Sequence, residues 1–383
     1  MSLVRHFVLA AGGTGGHMMP AHALAAELRE RGHRVALVTD ARGAQIPGLF
    51  EDVETHILPA GRITRSPLSW PGGLLGIWRG RSMAMRLYKD LHPSAVIGFG
   101  GYPAFPALIA AQTVGIATAV HEQNAVLGRV NRMVAGRVKV IATAYPDIKR
   151  LKYADKVELV GNPVREEIIA LREEPYPHLE DESVFRILVI GGSQGANILS
   201  EVVPDGLAML PEALRRRLQV TQQCRIEDID AVRARYQVLG IPADLATYMT
   251  DIPDKLAWTH LVIARAGAST IAELTCAGRP AIFVPLPSAT DDHQTANVRE
   301  MVAAGGARSI PQHLFTAKEL AKQMQKLGLE PQGLTNAAKA AWNCGRPHAT
   351  RDLANLLENL ARPPVMDGVP AEDWGGGLAG APA

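Results

Sequence analysis

Two glycine-rich segments, one in each half of the chain, constrain its fold more than any other feature of the sequence. The first is Gly12-Gly13-Thr14-Gly15-Gly16-His17, and the second is Gly191-Gly192-Ser193-Gln194-Gly195-Ala196. Each follows a short apolar run typical of a buried strand and precedes a helical pattern. Glycine lets another group approach the backbone closely, and the first turn of a helix offers unpaired N–H groups to an anion. The sequence therefore predicts a phosphate-handling βα unit used twice, in two doubly wound parallel-sheet α/β domains that face a common cleft.

The length of the chain also favours two domains. Its 383 residues exceed what one hydrophobic core usually supports. Apolar runs alternate with helical patterns in each half, as expected of parallel sheets built from βα repeats. We assign residues 1–163 to an N-terminal domain, 164–362 to a C-terminal domain and 363–383 to a disordered tail. The last helix of the second domain could pack back on the first domain.

Short apolar runs set the predicted strands. In the first half these are Val4–Ala10, Arg34–Thr39, Ala95–Ile97, Ile116–Val120, Lys139–Ala142 and Val157–Val160. In the second half they are Phe185–Ile190, Gln219–Gln222, Ala246–Met249, Leu261–Ala264, Ala281–Val284 and Arg308–Ile310. We also expect helical sequence from Leu334 to Ala361, and a linker with little to bury from Arg172 to Ser183.

Composition argues against several classes of protein. A formal net charge of +2 is too small to indicate a nucleic-acid partner. The three cysteines are isolated, which predicts free thiols in a reducing compartment rather than disulfides or a metal site. The N-terminus lacks the pattern of a signal peptide, and no apolar run reaches the roughly 18 residues that span a bilayer. We expect any membrane role to be peripheral, with no bound metal and no required cofactor, and leave assistance by a divalent cation open.

Flexible and polar residues follow two predicted strands of the first half. Gly98–Pro103 and His121–Asn124 each come directly after an apolar run, and open α/β sheets bind ligands at the carboxyl ends of their strands. The glycine turn could be only a tight turn. The four polar side chains His121-Glu122-Gln123-Asn124 are costly there unless they reach solvent or a ligand, so we favour a binding site over a solvated loop.

Two segments of the second half have a similar position. The stretch from Arg265 to Glu273 combines small residues with a carboxylate one helical turn inside, which suits a vicinal diol better than a phosphate. The alternative is an acid that only stabilises the start of a helix. Asp291–Gln294 and Asn297 form a polar loop-to-helix entry, whose mixed donors and acceptors suit sugar hydroxyls.

The first glycine segment leaves a second class of function open. Counted from Gly13, it nearly matches the dinucleotide-binding pattern, but Met18 stands where the third glycine belongs. Asp40 follows the second predicted strand and could hold a ribose, so a nicotinamide-dependent dehydrogenase remains an alternative. His17 could act as a base or bond a phosphate, or it could only cap the helix.

The stretch from Leu68 to Met85 mixes tryptophans, aliphatic side chains and arginines, with Arg62 and Arg65 just before it. This mixture is typical of a lipid headgroup boundary. An ordinary amphipathic helix that packs on the core has the same composition. Composition alone therefore favours neither interpretation.

An ordered series of segments gives the chain a resemblance to a known family. These segments are Gly12–His17, Gly100–Pro103, His121–Arg132, Gly161–Arg165, Gly191–Ala196, Arg265–Glu273 and Asp292–Asn297. Together they resemble the MurG family of peptidoglycan N-acetylglucosaminyltransferases. The resemblance covers nearly all of the chain except the linker and the tail.

The resemblance implies the glycosyltransferase-B fold, with two Rossmann-like domains around a catalytic cleft. It implies inverting transfer of N-acetylglucosamine from UDP-N-acetylglucosamine to the C4 hydroxyl of the N-acetylmuramoyl unit of lipid I, an undecaprenyl-linked acceptor, giving lipid II. The protein would then act at the cytoplasmic surface of the bacterial inner membrane, with Leu68–Met85 as a membrane-facing patch. An isomerase of the same fold that acts on UDP-N-acetylglucosamine, and a non-catalytic nucleotide-sugar or membrane-docking module, are the alternatives.

The resemblance also assigns roles to single residues. For the donor it implies Ser193, Gln194 and the Gly191-Gly192 turn at the diphosphate with Arg165 nearby, Glu273 at the ribose, Met249 at the uracil, and Asn124, Ala268, His293 and Gln294 at the sugar. His293 stands where some family members carry glutamine. Thr14, Gly15 and Gly16 are also counted with the donor site, and Gly13, Gly100, Gly101 and Tyr102 with the acceptor site. His17 is the first candidate for the base that takes the proton of the acceptor hydroxyl, and Glu122 is the second.

Overall fold

Two sheets organise the chain, one in each half. The computed structural model describes residues 4–13, 15–46, 48–59, 61, 70–177, 179–180, 183–192, 195–328 and 331–361. The strands of the first half are β1 (His6–Ala11), β2 (Arg34–Thr39), β3 (Glu54–Ile57), β4 (Ala95–Gly100), β5 (Ala117–Glu122), β6 (Val140–Thr143) and β7 (Val157–Leu159). Those of the second half are β8 (Phe185–Ile190), β9 (Leu218–Gln223), β10 (Ala243–Ala246), β11 (Leu261–Ala264), β12 (Ala281–Phe283) and β13 (Ala307–Ser309).

Helices connect these strands. In the first half they are α1 (Gly15–Glu30), α2 (Trp70–Leu91), α3 (Ala104–Thr113) and α4 (Arg129–Val134). After the chain crosses to the second half they are α5 (Glu166–Ala170), α6 (Asn197–Ala208), α7 (Glu212–Arg215), α8 (Ile229–Leu239), α9 (Ile252–Trp258), α10 (Ala268–Cys276), α11 (His293–Asn297), α12 (Arg299–Ala303), α13 (Ala317–Gly328), α14 (Pro331–Cys344) and α15 (Ala349–Leu360).

Both sheets are parallel and doubly wound. Within the described ranges, the first has the strand order β3-β2-β1-β4-β5-β6-β7 and the second has the order β10-β9-β8-β11-β12-β13. The order reverses at β1 and at β8, and this reversal opens a crevice outside the carboxyl ends of the strands. Each glycine segment leaves one of these two strands, so both lie at a crevice. The predicted fold class is confirmed.

The last helix returns to the first domain. Leu353 and Leu357 of α15 are buried in the same core as Phe7 of β1. On the surface, Nη1 of Arg31 lies 2.9 Å from Oε2 of Glu358. The C-terminal domain therefore lies, in chain order, between two parts of the N-terminal one.

The strands predicted from the sequence differ from the observed ones mainly at the sheet edges. Strand β3 was not predicted, because most side chains of Glu54–Ile57 are exposed and no apolar run marks the strand. The predicted strand Ala246–Met249 is wrong apart from its first residue, since β10 spans Ala243–Ala246. Tyr248 is exposed, and Met249 lies outside the strand although its side chain packs into the core beside the sheet.

Two further predictions need correction. The stretch Arg172–Ser183 does bury side chains, because Leu179 lies in the core and the hydroxyl of Tyr176 donates to the carbonyl of His260 at 2.6 Å. The helical sequence Leu334–Ala361 is divided into α14 and α15 by residues 345–348. The tail 363–383 lies outside the described residues.

Candidate active site

The two glycine turns of the first domain pack against each other at the carboxyl edge of the sheet. Gly13 and Gly101 have φ angles of 88° and 80°, a region that suits glycine. A Cβ on Gly101 would lie 2.5 Å from the carbonyl oxygen of Gly12, and a Cβ on Gly12 would lie 2.5 Å from Cγ of Pro103. The turns therefore form one continuous surface. In or beside it lie the predicted acceptor residues Gly13, Gly100, Gly101 and Tyr102 and the predicted donor residues Gly15 and Gly16, whereas Thr14 lies outside the described residues.

His17 lies in the first turn of α1, with its ring against Gly100. Its Nδ1 is 3.0 Å from the carbonyl oxygen of Gly12. A carbonyl only accepts hydrogen bonds, so Nδ1 carries the proton of the neutral ring and Nε2 holds a free lone pair. A Cβ on Gly100 would lie 3.1 Å from Nε2, so glycine keeps that nitrogen accessible.

The surroundings of His17 set its charge state. Burial lowers the pKa of the imidazole, although the hydrogen bond to Gly12 and the negative charge of Glu122 raise it. Since burial dominates, the ring is neutral at neutral pH. A neutral imidazole with an accessible Nε2 can accept a proton.

Glu122, the second candidate base, is saturated with hydrogen bonds. Its side chain is buried at the end of β5. Oε1 accepts from the backbone and side-chain nitrogens of Asn124 at 3.1 and 3.3 Å. Oε2 accepts from the backbone N–H of Gly128 at 2.7 Å and from Nδ2 of Asn131 at 2.9 Å. This geometry favours positioning of the loop after β5 over proton transfer.

The polar residues next to Glu122 have two roles. Some stabilise the fold, and one lies at the cleft. Nε2 of His121 donates to the carbonyl of Gly161 at 2.8 Å, and Nδ1 accepts from Gln123 at 3.1 Å. Burial lowers the pKa of His121 to about 4, so the ring is neutral. His121 and Gln123 therefore stabilise the chain crossing. Of the four polar residues, Asn124 is the one with partial exposure at the cleft.

Asp40 closes the first glycine turn. Its Oδ1 accepts from the backbone N–H groups of Gly13 at 3.3 Å and Gly43 at 2.9 Å, and Oδ2 lies 2.9 Å from Nη2 of Arg42. Burial opposes ionisation of Asp40, but these hydrogen bonds outweigh it and lower its pKa. Asp40 therefore stabilises the first glycine turn, and a ribose contact of this residue stays a prediction of the dehydrogenase alternative.

The glycine segment of the second domain begins at Gly191. Gly192 has a φ of 83°, and a Cβ there would meet no atom of the described residues within 4 Å. The backbone N–H of Gly191 donates to Oε1 of Gln223 at 3.2 Å, which anchors the start of the loop. Gly195 has a φ of 67° and packs against Arg225. The predicted diphosphate residues Ser193 and Gln194 lie outside the described residues.

A cation and a carboxylate lie side by side in the second domain. Nη2 of Arg165, which precedes α5, is 3.4 Å from Oε1 of Glu273 in α10. Burial raises the pKa of Glu273, and the charge of Arg165 opposes that rise. The side chains keep 26% and 18% of their surface exposed, so both remain accessible to a ligand. The pair offers a positive group for a diphosphate and acceptor oxygens for a diol.

Gln294 ties together two loops of the second domain. Its Oε1 accepts from the backbone N–H groups of Ala266 at 3.2 Å and Leu286 at 2.9 Å. The side-chain NH₂ is then the group that can donate to a ligand. Ala268 begins the adjacent helix α10, and Met249 is buried beside the same sheet.

His293 of the second domain affects the pKa of His17 in the first domain. Its Nδ1 lies 2.8 Å from the carbonyl oxygen of Thr290, which fixes the proton on Nδ1 in the neutral ring. The charge of His293 lowers the pKa of His17 in the other domain. His293 therefore lies close enough to His17 for its charge to act across the cleft.

Two side chains of the second domain bond the first domain directly. Nδ2 of Asn297 donates to Oδ1 of Asn124 at 3.1 Å. The carboxylate of Asp291 bridges Nη2 of Arg132 at 3.0 Å and Nη1 of Arg150 at 2.8 Å. Asn297 is fully buried by these and other protein contacts. The expectation that Asn297 bonds sugar hydroxyls is therefore wrong.

An apolar surface lies on α2. Leu74, Leu75, Trp78 and Met83 are 57%, 46%, 61% and 43% exposed, whereas Tyr88 on the same helix is buried. Arg79 and Arg86 are exposed on this helix, and Arg62, Arg65, Leu68 and the side chain of Trp70 lie outside the described residues. We call Leu74, Leu75, Trp78 and Met83 the α2 patch. In the described part of the chain, no helix is both long and apolar enough to cross a bilayer.

Comparison with known proteins identifies the family. Models of the N-terminal and C-terminal domains of glycosyltransferase family 28 match residues 7–143 and 186–357. A relative from Erythrobacter litoralis, named UDP-N-acetylglucosamine--N-acetylmuramyl-(pentapeptide) pyrophosphoryl-undecaprenol N-acetylglucosamine transferase, is 62% identical over 365 residues, which are 95% of this chain and 92% of the relative. The chain belongs to glycosyltransferase family 28.

Solved structures agree with membership of glycosyltransferase family 28. The crystal structure of Acinetobacter baumannii MurG matches with a TM-score of 0.73 and 30% identity, covering 93% of this chain and 99% of that one. A UDP-N-acetylglucosamine 2-epimerase from Neisseria meningitidis matches with a TM-score of 0.59 at 16% identity, covering 92% and 100% of the two chains, so that likeness shows the fold alone. The resemblance read from the sequence is confirmed, and neither the isomerase nor the dehydrogenase is favoured.

Proposed function

We propose that this chain transfers N-acetylglucosamine from UDP-N-acetylglucosamine to the C4 hydroxyl of the N-acetylmuramoyl unit of lipid I, which yields lipid II for peptidoglycan synthesis. High identity to a relative named for this transfer, over 95% of the chain, carries the proposal. The geometry supports it. One wall of the cleft holds a neutral histidine with an accessible Nε2, and the other holds the second glycine segment and an arginine–carboxylate pair.

The second domain is proposed to bind the donor. Glu273 accepts hydrogen bonds from the ribose diol, and Arg165 faces the diphosphate, where its charge offsets the negative charge that grows as the bond to the sugar breaks. Glycine at position 192 has no side chain of its own, and no atom of the described residues lies within 4 Å of its Cβ position, which suits close approach of the diphosphate. We further assign Met249 to the uracil, Ala268, His293, Gln294 and Asn124 to the sugar, and Ser193, Gln194, Thr14, Gly15 and Gly16 to the remaining donor contacts.

The first domain is proposed to bind the acceptor and to supply the base. Nε2 of His17 takes the proton of the C4 hydroxyl while that oxygen forms a bond to C1 of the donor sugar. The bond between C1 and the diphosphate oxygen breaks on the opposite face, and UDP leaves with the electron pair. One displacement inverts the anomeric centre. Gly13, Gly100, Gly101 and Tyr102 shape the surface on which the acceptor lies.

The proposed transfer is expected to require no cofactor. As a separate observation, no group of three His, Cys, Asp or Glu side chains among the described residues is arranged to hold a metal ion. Whether a divalent cation assists departure of the diphosphate is tested by measuring transfer with and without EDTA.

The decisive assay supplies labelled UDP-N-acetylglucosamine together with a lipid I analogue. We expect equimolar UDP and a β-linked N-acetylglucosaminyl product. Release of an epimerised UDP-sugar without any acceptor would contradict the proposed transfer. Binding of the donor without turnover would indicate a non-catalytic module.

The α2 patch is proposed to dock on the cytoplasmic face of the inner membrane. Its apolar side chains would enter the headgroup boundary, and Arg79 and Arg86 would meet anionic lipids. Replacing Leu74, Leu75 and Trp78 together by serine should reduce binding to vesicles that contain anionic lipid by about tenfold or more, because each apolar side chain contributes roughly 1 kcal/mol or more on burial. Sedimentation with vesicles measures this effect.

A matched control for the α2 patch is available on the other domain. Val238 of α8 is 80% exposed and far in sequence from the α2 patch. Its replacement by serine should leave vesicle binding unchanged. Equal binding by the triple variant and the parent protein would remove the docking role of the α2 patch.

A further inference from the structure

Asn297 is the most deeply enclosed polar contact between the two domains. It ends α11 in the second domain, its exposure is 0%, and its partners come from both domains. Its Oδ1 accepts from the backbone N–H of Ala125 at 2.8 Å. Its Nδ2 donates to Oδ1 of Asn124 at 3.1 Å and to the carbonyl of Ala266 at 3.3 Å. One carboxamide thus joins the loop after β5 to the loop before α10.

The donor and acceptor groups of the partners fix the orientation of both side-chain amides in this network, those of Asn124 and Asn297. The carboxylate of Glu122 only accepts, so Asn124 must turn its NH₂ toward Glu122 and its Oδ1 toward Asn297. Asn297 must then present its own NH₂ to Asn124, which the carbonyl of Ala266 also requires. The remaining Oδ1 of Asn297 meets a donor, the N–H of Ala125. The network is satisfied in one orientation only.

This network spans the proposed donor and acceptor sites. On the donor side, Ala266 is held by Asn297 through its carbonyl and by Gln294 through its N–H at 3.2 Å. On the acceptor side, the negative charge of Glu122 acts on the ring of His17. Asn124, which we assign to the donor sugar, lies between them and receives its orientation from both neighbours.

We propose that Asn297 is a positioning residue that orients the side chain of Asn124 toward the donor sugar when the two domains meet. The inference rests on the proposed transfer reaction. Asn297 touches no substrate, because its polar atoms are bonded to the protein. Its contribution is to fix Asn124 in the orientation that satisfies Glu122, and so to make the sugar site depend on contact between the domains.

The first test is Asn297→Ala. It leaves the buried N–H of Ala125 without its partner and frees Asn124, so kcat/KM for transfer should fall about tenfold to hundredfold. The affinity for UDP alone should stay within about twofold, because Ala266 is still held by Gln294 and UDP lacks the N-acetylglucosamine that Asn124 would contact. Calorimetry with UDP and with UDP-N-acetylglucosamine separates the two effects, and we expect the extra affinity given by the sugar to be lost.

A double-mutant cycle distinguishes positioning from general loss of packing. If Asn297 acts through Asn124, the double variant Asn297→Ala/Asn124→Ala should be no less active than Asn124→Ala alone. If the losses of activity from the two single substitutions multiply in the double variant, the proposal is overturned. The control Asn336→Ala removes an exposed asparagine of α14, whose Oδ1 accepts from Gln332 at 3.0 Å, and should leave transfer unchanged.

A second variant keeps the test valid if Asn297→Ala does not fold. Asn297→Asp preserves the volume and the acceptor for Ala125 but turns an acceptor toward Ala266 and Asn124. We expect a loss of transfer at least as large as that of alanine, again with near-normal affinity for UDP. If the parent protein shows no transfer activity, the proposed function is wrong. If the parent is active and the Asn297 variants are fully active as well, only the positioning role is wrong.

Discussion

The two glycine segments share a local pattern but differ in their surroundings. At the first segment, Asp40 already occupies the N–H of Gly13 and Glu122 adds negative charge near the ring of His17. At the second, no atom of the described residues lies within 4 Å of a Cβ on Gly192, and Gly195 packs against Arg225. The first turn thus has carboxylates beside it, whereas the second packs against an arginine.

This difference indicates that the charged groups around a glycine turn, rather than the turn itself, determine which part of the reaction the turn can serve. Carboxylates near His17 stabilise the positive ring that forms when Nε2 accepts a proton, and they disfavour a nucleotide diphosphate. The second turn lies beside Arg225 and at the start of α6, and a helix N-terminus suits the diphosphate. Two similar βα units can thus serve the base and the leaving group of one reaction.

The sharpest way to break this comparison is His17→Ala. It should lower kcat by about 10² to 10⁴, the range typical of a lost general base, without weakening UDP binding. Single-turnover transfer measures the chemical step. His22→Ala, one and a half turns further along α1, is the matched control and should retain turnover. Native single-turnover rates in the His17 variant would assign the base to another residue.

Removal of the Glu273 carboxylate in the second domain should weaken binding of UDP rather than slow the chemical step. Glu273→Ala should weaken UDP about tenfold to hundredfold, because hydrogen bonds to a charged group contribute roughly 1.5–3 kcal/mol. Glu273→Gln keeps the shape and separates loss of charge from loss of packing. Calorimetry measures the affinity, and an unchanged value would remove the ribose role.

A matched pair of glycine substitutions compares the loops themselves. Gly13→Ala and Gly192→Ala both force alanine into positive φ angles of 88° and 83°. Each should destabilise the protein by about 1–2 kcal/mol in urea unfolding. Only Gly192→Ala should raise KM for the donor, and only Gly13→Ala should raise KM for the acceptor. The opposite pairing would show that the loops are assigned to the wrong substrates.

The smallest expected effect is a shift in the pH profile. Because burial lowers the pKa of His17 from its ordinary value of 6.5, neutral ring persists at more acidic pH than it would for free histidine. The acidic limb of kcat/KM should therefore have its midpoint below 6.5. Activity falls as pH drops through this midpoint, since protonated Nε2 cannot accept a proton. A midpoint above the ordinary value would contradict a buried neutral base.

Much of the fold could be predicted from the sequence because buried parallel strands are continuous apolar runs. The runs at Phe185–Ile190 and Leu261–Ala264 coincide with β8 and β11. Edge strands lack this signal, as Glu54–Ile57 illustrates, since one or both faces meet water. The break between α14 and α15 does contain a glycine and a proline, residues 345 and 347, and these signal the end of a helix.

The site was less predictable, because its polar residues look alike in sequence. Glu122 and Asp40 stand at strand ends and Asn297 stands at the end of a short helix, where a ligand or a backbone N–H could equally be the partner. The structure supplies the partner, and for Asn297 that partner lies 173 positions away. No local pattern encodes such a contact. The roles assigned to His17, Arg165 and Glu273 stay predictions that the experiments above address.

The return of α15 to the first domain has a consequence for how this protein is made. Leu353 and Leu357 complete a core whose first member, Phe7, leaves the ribosome some hundreds of residues earlier. Domains usually fold as units during synthesis, but here the earlier one keeps an uncovered apolar face until Leu353 and Leu357 have been synthesised. Chaperones that bind such faces on nascent chains should therefore engage this protein through its N-terminal half.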